Sequence, residues 1–248
     1  MPTLQHGDAE IHYEEFGSGY PILLFAPGGL RSQIAYWRRS PSAPNAEPPW
    51  MDPTVVLADR YRVIAMDQRN AGRSRAPIRA TDDWQIFASD HIALMDHLGF
   101  ERFHVMGGCI GSTFCLSLCE RIPERISAAV LQNPIGLSDN RKTFDESFRS
   151  WSQEIRRQRP ELDEATLEQF DRNLYAGDFV FSVSRDFVSR CPVPLLVMPG
   201  NDAPHLTVIG EEIARLAPNA EVLRDWKGPA HKPAAIERVR TFLAAHTP

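Results

Sequence analysis

The stretch Arg102-Phe103-His104-Val105-Met106-Gly107-Gly108-Cys109-Ile110-Gly111-Ser112 decides the fold. A short, mostly apolar run with the length of a buried strand leads into it, and a segment of helical period, residues 110–122, follows. Between them stands Gly107-Gly108-Cys109-Ile110-Gly111, a G-x-Cys-x-G turn. That spacing suits a nucleophile on a tight, strained strand-to-helix turn, because the flanking glycines let the chain close without Cβ clashes. The side chain then stands free at the carboxyl end of a sheet, ahead of a helix N-terminus whose dipole favours a thiolate. A composition of 15 Gly and 4 Cys in 248 residues produces the pattern by chance roughly once in seventy sequences.

Outward from this turn, short apolar runs alternate with helical segments, the signature of a mostly parallel sheet covered by helices, an α/β fold. Strands are expected at Ala9–Phe16, Ile22–Ala26, Tyr61–Asp67, Phe103–Gly107, Ile126–Gln132, Pro194–Met198 and Glu221–Arg224. The first two read as an antiparallel pair across Gly17-Ser18-Gly19. Trp84, Phe87, Leu94 and Leu98 predict a helix over 81–99, with Thr81 or Asp82 as its N-cap and Gly99 as its stop. Residues 206–217 and 232–245 read as further covering helices. Two stretches break the alternation. Arg39–Pro53 holds Pro41, Pro44, Pro48, Pro49 and Pro53 and reads as a stiff irregular loop. Residues 137–190 carry charged helical patterns with no strong strand, an inserted helical cap within one domain spanning 1–248; the alternative is a pair of ordinary surface helices.

Composition narrows the function classes. Lys+Arg 27 against Asp+Glu 32 gives a net charge of −5, with no dense basic stretch, which disfavours nucleic acid as a partner. Four cysteines form neither a disulfide framework nor the short paired spacings of a zinc site, so neither metal nor cofactor is implied. The start, Met1–Phe16, has no basic region followed by an apolar core, and no apolar run approaches a bilayer span. The expectation is a cytoplasmic protein acting on a small molecule, with no membrane partner; oligomeric state is not legible.

With these residues in view, the chain resembles the α/β-hydrolase fold superfamily from end to end. Ala26-Pro27-Gly28-Gly29 is similar to the family's His-Gly oxyanion segment, with Pro27 in place of the histidine. Asp67-Gln68-Arg69-Asn70-Ala71-Gly72-Arg73-Ser74 resembles its Asp-x-Arg-Gly-x-Gly-x-Ser turn, with Asn70 for the first glycine. Gly200-Asn201-Asp202 resembles the acid turn, one residue shorter than the commoner form, and His231 occupies the catalytic-histidine position before the last helix. The order Cys109, Asp202, His231 agrees with the family's order. Cysteine replaces the usual serine, as in dienelactone-hydrolase-like members. The resemblance implies acyl transfer on an ester, thioester or lactone.

The roles follow from what each group can do. A free thiol is only a few per cent ionised at neutral pH and needs a base, for which His231 is the candidate, oriented by Asp202. The oxyanion would lie between the main-chain N–H groups of Ile110 and Gly29. Trp50 and His205 are the candidate substrate-lining residues, and packing is the competing role for His205. Trp151, Phe170, Phe179, Phe181 and Met51 are further candidates for specificity. Asp139, just after the sixth strand, competes with Asp202 as the acid. Cys115, Cys119, Cys191, His91 and His104 read as structural. A non-catalytic ligand-binding protein, an acyltransferase and a lyase are the alternative functions on the same fold.

Overall fold

The structure, a computed structural model, describes residues 2–40, 43 and 45–248. Pro41 and Pro44 of the proline-rich stretch lie outside the described residues. Eight strands, β1 (Thr3–His6), β2 (Ala9–Phe16), β3 (Tyr20–Phe25), β4 (Tyr61–Met66), β5 (Phe103–Gly108), β6 (Ile126–Gln132), β7 (Leu195–Met198) and β8 (Ala220–Val222), form one sheet. Their order is β1-β2-β4-β3-β5-β6-β7-β8, antiparallel at the β1–β2 and β2–β4 pairs and parallel from β4 to β8. The helices are α1 (Pro53–Val56), α2 (Trp84–His97), α3 (Ile110–Arg121), α4 (Arg141–Gln158), α5 (Glu164–Tyr175), α6 (Arg185–Val188), α7 (Thr207–Leu216) and α8 (Lys232–Ala245). None of them is long and apolar enough to cross a membrane.

Side chains alternate across the sheet, so each central strand feeds two cores. On one face Leu23, Phe25, Val105, Leu131 and Val197 pack with residues of α2, α3 and α7, including Phe87, Phe114 and Ile213. On the other, Ile22, Leu24, Met106, Val130, Leu196 and Met198 pack with Trp226, Val239 and Phe242. Parallel register aligns the strand ends that matter: Phe25 pairs with Gly107, Gly108 with Gln132, and Gln132 with Met198. The segments after β3, β5, β6 and β7 therefore leave the sheet side by side at its carboxyl edge.

Three local expectations change. β2 and β3 are not partners: β2 pairs with β1 and β4, and β3 lies between β4 and β5. The intervening turn is pressed on the chain entering β4, since a Cβ on Gly17 would stand 2.0 Å from the Ala58 carbonyl oxygen and one on Gly19 2.6 Å from that of Arg60. The chain thus crosses the end of β4 instead of folding back beside β2. The cap of α2 is Asp83, whose carboxylate accepts the Gln85 N–H at 2.7 Å. Asp82 is occupied one turn earlier, accepting the Arg79 N–H at 3.0 Å. Strand β1, too short and polar to stand out in sequence, is held by its antiparallel register with β2, Leu4 opposite Ile11.

Between β6 and β7 the chain builds α4, α5 and α6. α4 buries Phe144, Phe148, Trp151 and Ile155, four and three residues apart, so it is an amphipathic helix with one apolar stripe. Polar ties hold α4 and α5 down. Arg31 Nε donates to Glu154 at 2.7 Å, Arg159 Nη2 to Asn70 Oδ1 at 2.8 Å, and Trp84 Nε1 to the Leu174 carbonyl at 2.9 Å.

Candidate active site

Cys109 sits on the turn between β5 and α3 with φ 58 and ψ −121, a left-handed conformation that an L-residue avoids unless its surroundings impose it. The surroundings do so. A Cβ on Gly107 would stand 2.1 Å from the Gly111 carbonyl carbon, and one on Gly111 would stand 2.2 Å from the Phe25 carbonyl oxygen. The Cys109 N–H donates to the Gln132 carbonyl at 2.9 Å, which fastens the turn to the end of β6. Ser112 Oγ closes it from beneath, donating to the carbonyls of Gly107 and Gln132 at 3.0 and 3.1 Å.

The sulfur faces His205. Asp202 and His205 close the loop between β7 and α7 on itself: the His205 N–H donates to the Asp202 carbonyl at 3.0 Å, and Nδ1 pairs with the Asp202 carboxylate. With Nδ1 so engaged, Nε2 is buried without a well-aligned hydrogen-bond partner, on the side of Cys109. Burial pushes the Cys109 thiol up, but the charge and hydrogen bonding of His205, with the N–H groups of Gly28 and Ile110, bring it below its ordinary value. Burial pushes the His205 imidazole down, yet the Cys109 charge and the Asp202 carboxylate outweigh it, for a net pKa of about 9. Both shifts favour a thiolate beside an imidazolium. The Asp202 carboxyl is pushed up by burial but lies below its usual range because of His205 and Lys227, whose Nζ is 4.0 Å away.

The cavity above Cys109 has a volume of about 710 Å³. Its floor is Pro27, Gly28, Gly29 and Asn133, its apolar wall Trp50, Ile135, Phe144 and Tyr175, and its polar side Arg31, Glu154 and Lys227.

His231 is not part of this arrangement. It is exposed at the N-cap of α8 and lines a separate pocket with Pro199, Asn201 and Trp226. The chain on either side of it is tied elsewhere: the Gly228 N–H donates to the Pro49 carbonyl at 2.7 Å, and Lys232 Nζ to Glu47 at 2.6 Å. From the loop before His231, Lys227 enters the cavity instead, its Nζ donating to Asn201 Oδ1 at 2.8 Å. His205, not His231, is thus the histidine beside Cys109, and the spacing Asp202-x-x-His205 was the available signal. The N–H that acts on the sulfur beside that of Ile110 is that of Gly28, one residue before the expected Gly29, which lines the same cavity. Asp139 is exposed, and the end of β6 presents Asn133, an amide, to the cavity.

Trp50 lines the cavity, with Nε1 donating to the Trp37 carbonyl at 3.1 Å. Met51, Phe170 and Phe179 are buried in the two cores, and Trp151 lines a neighbouring cavity. The sequence singled out neither Phe144 nor Tyr175, whose helical spacing looks like any buried stripe. His91 and His104 are fully buried, bonded to Gln68 at 2.7 Å and Thr247 at 2.9 Å, with burial pushing both imidazoles down to about 3.

The profile of the family described as alpha/beta hydrolase fold matches residues 21–193. A protein of Azorhizobium caulinodans named "Putative carbamate hydrolase RutD" is 32% identical over 147 residues, which are 58% of this chain and 49% of that protein. The chain thus spans about half the length of this relative. Among solved structures, a meta-cleavage product hydrolase from Pseudomonas fluorescens IP01, a mutant form complexed with acetates, superposes with a TM-score of 0.72 at 18% identity, covering 100% of this chain and 98% of that one. An enol-lactonase from Burkholderia xenovorans LB400 superposes with a TM-score of 0.68 at 19% identity, covering 98% and 100%. At these identities the structural likenesses speak for the fold.

Proposed function

The chain belongs to the alpha/beta hydrolase fold family, and on that footing we propose that it is a cysteine hydrolase of esters, thioesters or lactones with Cys109, His205 and Asp202 as its triad. The carrying observation is the strained Cys109 turn facing a histidine whose other ring nitrogen is held by a carboxylate. The Cys109 thiolate attacks the carbonyl carbon, and the carbonyl π electrons move onto oxygen, where the N–H groups of Gly28 and Ile110 receive them. Collapse breaks the bond to the leaving group, which takes the proton of the His205 imidazolium, and leaves a thioester on Cys109. His205 then removes a proton from water, whose oxygen attacks the thioester. The carbon–sulfur bond breaks, the acid departs, and the thiolate–imidazolium pair is restored. Asp202 keeps the tautomer that aims Nε2 at sulfur, and the helices within 137–190 serve as the cap over the substrate.

Limited iodoacetamide labelling near pH 7, read by peptide mass spectrometry, is expected to mark Cys109 ahead of the three buried thiols. Because the Cys109 thiol is lowered, labelling keeps its rate below the ordinary thiol range and falls only where the thiolate takes a proton. His205→Ala removes the compensation for burial and moves that fall upward. Turnover has its alkaline limb near pH 9, where His205 loses the proton that the leaving group needs. A screen of p-nitrophenyl esters, thioesters and lactones should show turnover that Cys109→Ala abolishes; undiminished turnover in that variant ends the proposal.

A further inference from the structure

Tyr175 ends α5 and lines the cavity of Cys109, yet the reaction derived above makes no use of it. Its ring is clamped by Phe144, stacked at 6.0 Å, and by Phe181, Trp84 and Phe148 at 5.1, 6.2 and 6.4 Å. Its main-chain carbonyl accepts from Arg141, which fixes the backbone as well. The residue is only 9% exposed, and its hydroxyl has no hydrogen-bond partner among the described residues. That oxygen opens onto the cavity, and once a bound substrate excludes water there, a tyrosine hydroxyl left without a partner is costly. Burial, reinforced by the charges of Cys109 and Asp171, pushes the phenol well up, so the group is a donor at any working pH.

The two cations on the cavity wall are already engaged. Arg31 bonds Glu154 and Ser150 at 2.7 and 3.1 Å, and Lys227 bonds Asn201 at 2.8 Å and faces Asp202. Phe144 stacks on the Tyr175 ring and Ile135 lines the same cavity, apolar neighbours that suit an uncharged group. We propose that Tyr175 is a specificity-determining residue whose hydroxyl donates to a neutral acceptor oxygen carried by the substrate in addition to its scissile carboxyl group. The substrate class is then an apolar ester or lactone bearing one further carbonyl, ether or hydroxyl oxygen. This rests on Cys109 being the nucleophile. A site whose donor is buried by the bound substrate discriminates strongly against the analogue that lacks the acceptor, because the donor is then left unpaired.

The test pairs esters that differ by one ether oxygen replacing a methylene, at successive positions on the acyl and alcohol halves. At the favoured position the wild type should prefer the oxygenated ester at least about tenfold in kcat/KM. Tyr175→Phe, which keeps the ring and its packing, should erase that preference by lowering kcat/KM for the oxygenated ester relative to its all-carbon partner. Iodoacetamide labelling of Cys109, measured in parallel, reports the nucleophile without a substrate and should be the same in both proteins. A preference that survives in Tyr175→Phe, no preference at any position, or a stronger preference for a succinyl half-ester each overturns the assignment. If Cys109→Ala retains turnover, the catalytic premise fails instead, and the two failures are told apart.

Discussion

Two neighbouring loops, Gly200–Leu206 after β7 and Trp226–His231 after β8, each offer a histidine, and only one of them reaches the sulfur. The first loop is short and closed on itself. Thr207 Oγ1 donates to the Gly200 carbonyl at 2.7 Å, and a Cβ on Gly200 would stand 2.3 Å from the Cβ of His205. The second loop is tethered at Gly228 to the Pro49 carbonyl and, just past its end, by Lys232 to Glu47, and its histidine ends as an exposed helix cap. The β7 loop unites carboxylate and imidazole in a single turn, while the β8 loop presents Lys227 to the cavity.

The largest test exchanges the two histidines' fates. His205→Ala should lower kcat/KM by about 10³-fold, the scale of a positioned acid–base group. His231→Ala should change it by less than about threefold, as expected for an exposed side chain outside the cavity. Equal losses in steady-state kinetics would break the contrast between the loops.

The next effect in size concerns the acid. Asp202→Asn should cost on the order of 10²-fold in kcat, because the amide no longer stabilises the imidazolium. It should also shift the alkaline limb downward from about 9, since the carboxylate helps to hold the His205 proton. Asp139→Asn should be silent in both kcat and the pH profile. A loss in Asp139→Asn alone would move the acid to the turn after β6.

The smallest effects come from one methyl group in each loop. Gly200→Ala meets His205 Cβ at 2.3 Å and should cost about 1–3 kcal/mol in chemical denaturation, with activity lost through the displaced imidazole. Gly228→Ala meets nothing within 4 Å but sits at φ +79, so it should cost about 1–2 kcal/mol of backbone strain and leave kcat almost unchanged. Activity falling alike in both variants would mean that the β8 loop also shapes the site.

The parallel strands of the sheet and the Cys109 turn were legible in the sequence because each is written locally. Apolar runs of strand length and a pair of glycines that cannot carry a Cβ both act within a few residues of themselves. Which histidine faces Cys109, and which aromatics wall the cavity, was settled by contacts between distant segments. His205 and His231 lie 26 residues apart and both follow strands of the same edge. Their difference arises from where two loops are tethered: one to its own carbonyls, the other to the proline-rich segment near residue 49. Phe144 and Tyr175 were equally hidden, since a helix stripe records burial but not what it is buried against.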